Sequence, residues 1–229
     1  EQAGSPEGKP DLATSVPFSG ASSIAVLPFV DMSQAKDQEY FSDGLAVELL
    51  NLLAKVPQLR VISRSSAFSF KGKAVDIATI AKQLDVAHVL EGSVRKSGNQ
   101  VRITVQLIDA RNDAHLWSET YDRPLENIFA IQDEIAAAVV AQLKVTLLGA
   151  APKAAATDPE AYALYLKGRE VQRGGSPEGY AEAIGLFERA LKVSPEYAPL
   201  WRWLGVVYLN QAARGMRDVD EGIRLAREA

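Results

Sequence analysis

Hydrophobic patterns typical of strands stop near residue 150 of this 229-residue chain, and this point constrains its fold more than any other feature. Before it, segments with an apolar residue at every second position alternate with segments whose apolar residues recur every three or four positions, the periods of strands and helices. In the clearest strand, Val101, Ile103, Val105 and Leu107 share one face. After it, only the helical period remains. The sequence therefore predicts a mixed unit followed by an all-helical segment.

The elements of the first unit follow the order β-α-β-α-β-β-β-α, which predicts an α/β fold of the α+β type with a mixed sheet and helices packed on it. Asp76 is the expected N-cap of the second helix. We expect strands at residues 23–29, 59–62, 86–96, 101–108 and 114–121, and helices at 41–56, 77–84 and 128–143.

Composition divides the chain into four parts. Residues 1–22 are rich in Pro, Gly and Ser, which predicts a flexible tether, and 23–149 form the α/β domain. Residues 150–157 are predicted to be a hinge, and 158–229 a helical segment that is truncated at its C-terminus. No initiator Met is present, so we expect this chain to be a piece of a longer protein.

The helical segment resembles tetratricopeptide (TPR) repeats. Four helices fit, at about 158–173, 177–193, 197–213 and 218–229. Small and large residues follow one another in the 34-residue phase of such repeats, at Ala183, Phe187, Ala190, Pro195, Trp201, Leu204, Gly205 and Tyr208. We expect Trp201 and Tyr208 to be core residues, and Trp203, which lies outside the pattern, to be an exposed docking aromatic.

Charge and residue counts exclude several functions. The net charge is −4 and neither half is cationic, so no nucleic-acid partner is expected. Cysteine is absent, which excludes disulfides, thiol chemistry and the common zinc cages. The two histidines, His88 and His115, lie in predicted strands and indicate ordinary sheet residues, so we expect neither a metal nor a cofactor.

Two polar clusters follow the first two strands, where ligands bind in many α/β folds. The acidic cluster lies between the first strand and its helix, at Asp31, Asp37, Glu39 and Asp43. The second is Ser63-Arg64-Ser65-Ser66, which offers a guanidinium and hydroxyls to an anion or peptide. The candidate binding residues are therefore Asp43, Arg64, Ser65, Ser66 and Trp203, although a solvated loop is the favoured explanation of the acidic cluster and helix capping that of the serine cluster. A hydrolase site in the 31–43 loop with Arg64 remains a remote alternative.

The motifs of the first unit resemble the TolB-like amino-terminal domain, almost without gaps over residues 23–148. They are Ser23–Phe29, Glu39–Gly44, Val61–Phe68, Phe70–Lys73, Val89–Arg95, Val101–Thr104, Gln106–Asp109, His115–Glu119 and Tyr121–Arg123. The Ala110–Asp113 turn departs from that family, which more often has Thr-Gly there.

The resemblance implies a non-catalytic module outside the inner membrane, tethered by an upstream span that is not in this chain. It implies a sensing and protein-interaction segment of a membrane-anchored signalling protein, such as an adenylate cyclase, whose output domain lies elsewhere. The expected partner is a protein or peptide, and a homodimer is possible in such proteins. The alternative is a structural scaffold of the envelope or of secretion assembly. We also expect the first helix of the 158–229 segment to pack on the α/β domain, or further repeats to follow.

Overall fold

A computed structural model describes residues 23–143 and 156–229. The tether expected at 1–22 lies outside the described residues, as does the hinge at 150–157 up to residue 155. Within the described residues, six strands form one mixed sheet in the order β3-β1-β4-β5-β6, with β2 also beside β4. They are β1 (Ser23–Val26), β2 (Val30–Asp31), β3 (Arg60–Val61), β4 (His88–Ser97), β5 (Gln100–Asp109) and β6 (Ala114–Pro124).

Strand β1 lies parallel between β3 and β4, and β4, β5 and β6 form an antiparallel meander. The predicted alternation in β5 is confirmed, because Val101, Ile103, Val105 and Leu107 are all fully buried. Strand β2 was not predicted. Pro28 interrupts the first strand, and the two residues of β2 continue it along β4.

Eight α-helices accompany the sheet in the described part of the chain. They are α1 (Glu39–Leu53), α2 (Arg64–Phe68), α3 (Ile77–Leu84), α4 (Ile128–Gln142), α5 (Pro159–Val171), α6 (Pro177–Val193), α7 (Ala198–Ala213) and α8 (Val219–Glu228). The N-cap prediction is confirmed: the Asp76 carboxylate accepts the Thr79 N–H at 2.8 Å. The mixed α/β class is confirmed as well.

The two faces of the sheet are covered unequally. Helices α1 and α4 bury the alternating apolar residues of β1, β4 and β5 in the main core. Helix α3 covers only the β1 and β4 part of the opposite face, where Ile80 and Ala81 meet Leu27 and Val89 in a smaller cluster. The rest of that face carries the polar residues of β5 and β6.

The four helices predicted after residue 158 are confirmed, and each packs against the next. Small residues mark the close contacts. A Cβ on Gly168 would lie 2.5 Å from the Phe187 ring, and one on Gly222 would lie 2.6 Å from the Ala212 Cβ. These glycines let neighbouring helices approach one another.

One expected core residue of the helical segment is not buried. Trp201 is 37% exposed, so its prediction as a core side chain is wrong, whereas Tyr208 is buried. The Trp201 indole N–H reaches back to donate to the Pro195 carbonyl at 2.6 Å. It closes the turn before α7, and this position holds its ring at the surface.

Candidate functional site

The helical segment docks on the α/β unit through α5, which packs against α1. This confirms the expectation for the first helix of the segment. The closest approach is at Gly44, where a Cβ would lie 2.6 Å from the Leu166 Cδ2. Leu166 is almost completely buried there. The lack of a side chain at position 44 is therefore what allows the two helices to pack so closely.

A polar network joins the same two helices beside this contact. One Glu48 carboxylate oxygen accepts from the Arg169 guanidinium at 2.5 Å and from the Tyr165 hydroxyl at 3.3 Å. Arg169 also donates to the Tyr165 oxygen at 3.0 Å. Burial, reinforced by the Glu48 charge, raises the pKa of Tyr165 to about 12, so this hydroxyl keeps its proton at neutral pH. Glu48 and Arg169 thus compensate one another across the junction.

Aromatic rings continue the junction toward α4. Tyr162 is buried, and its hydroxyl accepts a hydrogen bond from the Gln132 side chain at 2.7 Å. Its ring meets Phe129 edge-on with centroids 4.9 Å apart. On the other side, Tyr165 and Tyr197 form a second edge-on pair at 5.6 Å. Aromatic groups of α4, α5 and the start of α7 therefore form one wall.

A cavity of about 470 Å³ opens beside this wall. Helices α1, α2 and α4 line it from the α/β unit, and α5 and α7 line it from the helical segment. We call it the junction cavity; its charged lining residues are Glu48, Lys55, Arg64, Arg169 and Arg202. A ligand in this cavity would touch both parts of the molecule at once.

The charges of the junction cavity are unbalanced. Four cationic residues face one carboxylate, and that carboxylate, Glu48, already pairs with Arg169. Within the described residues, Lys55, Arg64 and Arg202 have no ion-pair partner. The Nε of Arg64 is buried without a hydrogen-bond partner. Burial, with the nearby charges of Arg173 and Arg169, lowers the pKa of Arg64 below its usual value, although the charges of Asp43 and Glu170 act in the opposite direction.

Two of the candidate residues taken from the sequence meet at this cavity, although they are 139 positions apart: Arg64 and Trp203 both line it. Trp203 was expected to be exposed for docking, and it is instead partly buried. Its ring lies under the Arg169 guanidinium at 4.8 Å and near that of Arg202 at 5.9 Å. Glu48, Lys55, Arg169 and Arg202 were missed by sequence reasoning.

The two serines beside Arg64 do not join it in the cavity. Ser63 caps α2 by accepting the Ser66 N–H, and its hydroxyl lies 3.2 Å from that of Ser65 and 3.0 Å from that of Ser66. All three side chains are exposed on the outer side of this short helix. Their surroundings correspond to the capping interpretation.

Asp43 is occupied by a different partner. Its side chain is almost fully buried, and the Lys71 ammonium lies 2.6 Å from one of its oxygens and 2.7 Å from Glu39. The other Asp43 oxygen is buried without a partner. Burial raises the pKa of Asp43 more than the Lys71 charge lowers it. This ion pair fastens the loop after α2 to the start of α1.

The acidic 31–43 loop does not form a carboxylate site with Arg64. Asp31 accepts the N–H groups of Ser33 and Gln38, both at 2.8 Å, and so shapes the loop itself. Asp43 is held by Lys71 and not by Arg64. Asp31, Glu39 and Asp43 thus each have a local partner, and none of those partners is Arg64.

A larger groove, of about 760 Å³, lies over the partly covered face of the sheet. Its lysines, Lys36, Lys71 and Lys73, are matched by the carboxylates of Asp31, Glu39 and Glu91. Lys71 is in addition committed to Asp43. Because its charges balance, this groove gives no sign of the ligand that it would select, in contrast with the junction cavity.

The described residues contain neither a cluster of metal ligands nor a membrane-spanning helix. Across residues 23–143 and 156–229, no three His, Asp or Glu side chains come together as a metal ion would require. His88 is buried and bonds through Nδ1 to the Ser23 carbonyl at 3.1 Å. Of the helices described, none has the length and apolar character needed to cross a bilayer.

The family of the chain follows from its α/β unit. Residues 20–138, about half of the chain, match the family described as "HilA/YgeH-like transcriptional regulator, second domain". The chain belongs to this family. The matched range covers the whole sheet and most of α4, and it ends before the helical segment.

A longer relative extends the match into the helical segment. The chain is 38% identical over 216 residues, 90% of its length, to a Rhizobium meliloti (strain 1021) protein named "Putative adenylate cyclase 3". It spans 37% of the length of that relative.

Solved structures show weaker likenesses. The chain is similar to TolB from Acinetobacter baumannii, with a TM-score of 0.41 and 17% identity, over 54% of this chain and 28% of that one. It is also similar to lipoprotein GNA1162 from Neisseria meningitidis, with a TM-score of 0.40 and 21% identity, over 55% and 99% of the two chains. For the LpoB C-terminal domain from Salmonella enterica the TM-score is 0.38 and the identity 16%, over 46% and 84%.

Proposed function

We propose that this chain is a non-catalytic receiving module of a signalling protein, and that its ligand or partner binds in the junction cavity. The observation that carries this proposal is that the α/β unit and the helical segment both wall the cavity. A molecule bound there has contacts with both parts, so it favours the docked arrangement that fits it best. The ligand passes on a signal because it binds one arrangement of the α/β unit and the helical segment more tightly than another.

The output of this signalling protein lies in another part of its sequence. The family description names a transcriptional regulator, and the relative is named an adenylate cyclase. Both names fit a module that reports to an effector domain. Because the relative extends well beyond the match, we propose an adenylate cyclase as the parent of this chain.

The test uses the full-length protein and measures its cyclic AMP production. Arg169→Met breaks the network between α1 and α5, and we expect it to change the basal rate several-fold in either direction. Arg189→Gln, an exposed arginine of α6 that does not line the junction cavity, is the matched control and should leave the rate unchanged. Equal rates for wild type and Arg169→Met, or a full-length sequence without an effector domain, would overturn the proposal.

The proposed lack of catalysis has its own test. The purified chain is incubated with ATP, a phosphate monoester and an aryl glycoside, and we expect no turnover above the buffer rate. Turnover that scales with protein concentration and is lost in Asp43→Asn would support the hydrolase hypothesis and contradict the proposed lack of catalysis.

We further propose that the module lies on the extracytoplasmic side of the inner membrane, tethered by an upstream span. An alkaline phosphatase fused after Ala229 of the full-length protein should then be active, since that enzyme folds only where disulfides form. An inactive but intact fusion would place the module in the cytoplasm. An upstream signal peptide in place of a span would favour the envelope-scaffold alternative.

Helices α5–α8 are proposed to be TPR-type hairpins that extend the receiving surface toward a protein or peptide partner. Their phase, and the glycines at their close contacts, support this assignment. A homodimer is also proposed, because effector domains of this kind work in pairs. Sedimentation that gives only monomer at high concentration would argue against the dimer.

A further inference from the structure

We propose that the junction cavity binds a small organic anion in which a carboxylate or phosphate is attached to a flat aromatic group. This inference rests on the proposed function, because it names the ligand class of the same site. The size of the cavity, about 470 Å³, lies in the range of pockets that enclose small molecules.

The first argument is charge. Arg64 is a partly buried cation of this cavity, and its Nε is buried without a hydrogen-bond partner, so an anion that enters would offset the hydration that this charge has lost. Lys55, Arg64 and Arg202 all line this cavity without an ion-pair partner among the described residues. Guanidinium groups present paired N–H donors that match the oxygens of carboxylates and phosphates alike. The site therefore selects an anion without distinguishing these two acids.

The second argument is the aromatic wall. The face of Trp203 is already used by Arg169 on one side, which fixes the indole beside the cations. Phe129, Tyr165 and Tyr197 line the same cavity, and two of them are held in edge-on contact. Rings held in place in this way offer flat apolar area at little entropic cost. An aromatic anion satisfies the cations and the wall together, whereas an inorganic ion satisfies only the cations.

The experiment measures binding to the purified chain by isothermal titration calorimetry at low salt. AMP supplies a phosphate with a ring, indole-3-acetate supplies a carboxylate with a ring, inorganic phosphate lacks the ring, and indole-3-acetamide lacks the charge. We expect at least one of the two ringed anions to bind ten or more times as tightly as inorganic phosphate and the amide. Which of the two binds identifies the acid.

Variants place the binding in the cavity. Arg64→Gln and Arg202→Gln should each lower the affinity for the anion by about tenfold, the usual effect of losing one charge-assisted hydrogen bond. Trp203→Leu should lower the affinity for the anions that carry a ring and leave the affinity for inorganic phosphate unchanged. Arg189→Gln, on the exposed face of α6, should have no effect. Circular dichroism melts confirm that each variant is folded.

The inference is overturned if neither ringed anion binds, if the amide binds as well as the acid, or if Arg64→Gln binds like wild type. These outcomes separate it from the proposed function. If the anion binds but does not change the output of the full-length protein, the proposed function is wrong and the assigned binding site is still supported. If Arg169→Met changes the output but no anion binds, the proposed function is supported and the inferred ligand class is wrong.

Discussion

At the scale of single residues, the stability of the α/β unit depends on the ion pair between Lys71 and the buried Asp43. Asp43 is a buried carboxylate, and one of its oxygens already lacks a partner. Lys71 is only partly exposed, and its ammonium lies between Asp43 and Glu39. A buried charge that loses its counter-charge is strongly unfavourable, whereas removal of both charges costs much less.

We therefore predict that Lys71→Met destabilises the chain by about 1–3 kcal/mol, and that Asp43→Asn in the same chain recovers most of that loss. Urea unfolding of the two single variants and the double variant gives the coupling free energy. Lys73→Met, two positions away and without an ion pair in the described structure, is the control and should change stability by less than about 0.5 kcal/mol. Additive effects of the single changes would contradict the assigned pair.

His88 provides a second prediction at this scale. Burial lowers its pKa, although the Ser23 carbonyl and the Asp109 carboxylate both favour the charged form. The unfolded chain has the ordinary histidine pKa of about 6.5, so below that pH it binds the proton more readily than the folded chain does. Neutral His88 therefore makes its full contribution to the free energy of unfolding above pH ~6.5. This contribution declines as the pH falls toward the lower pKa of the folded state.

The free energy of unfolding of the wild type should then fall as the pH drops below ~6.5, by at most about 1.4 kcal/mol per pH unit from this residue. His88→Gln should flatten the profile in that window, while His115→Gln on β6, the matched control, should retain it. Parallel profiles for wild type and His88→Gln, measured by urea unfolding, would contradict the prediction.

At the scale of elements, local pattern predicted the long helices and the meander, because their burial follows a period that the sequence displays directly. Two of the elements that it did not predict are strand β2 and helix α2, and both are short. Strand β2 has two residues and exists because β4 offers it a parallel neighbour. Helix α2 has five residues and depends on the Ser63 cap. Neither is long enough to show a period, so both were beyond sequence reasoning.

Two glycines of the helical segment test how tightly its helices pack. At Gly168 in α5 a Cβ would collide with the Phe187 ring, while at Gly185 in α6 it would meet nothing within 4 Å. Gly168→Ala should therefore destabilise by about 1–3 kcal/mol through overpacking. Gly185→Ala should stabilise by about 0.5–1 kcal/mol, because alanine is the better helix former.

Chemical denaturation of both variants measures this difference. The pair is matched, since both changes add one methyl group inside a helix. Equal stabilisation of the two variants would show that α5 and α6 are further apart than described.

At the scale of the whole molecule, the sequence pointed to Arg64 and Trp203 individually but could not place them together. They lie on α2 and α7, and only the docking of α5 on α1 brings these helices to one cavity. The remaining cations were hidden for the same reason. Arg169 is an ordinary charged residue in its own helix and gains its role from Glu48, which is 121 positions away. A site built between two units has no local signature.

This docking gives the last prediction. Gly44→Val places a branched side chain where Leu166 already packs, so it should separate α5 from α1 and destabilise the chain by about 1–3 kcal/mol. Hydrogen exchange should become faster in α5 and α7, while β4 and β5 keep the protection of the main core. Gly185→Val makes the same substitution in α6, where a Cβ would meet nothing within 4 Å, and should leave this exchange pattern unchanged. Leu166→Ala in the Gly44→Val background frees the space and should restore part of the α5 protection. If Gly44→Val instead speeds exchange evenly in all elements, the two units unfold as one, and ligands in the junction cavity cannot act by changing their arrangement.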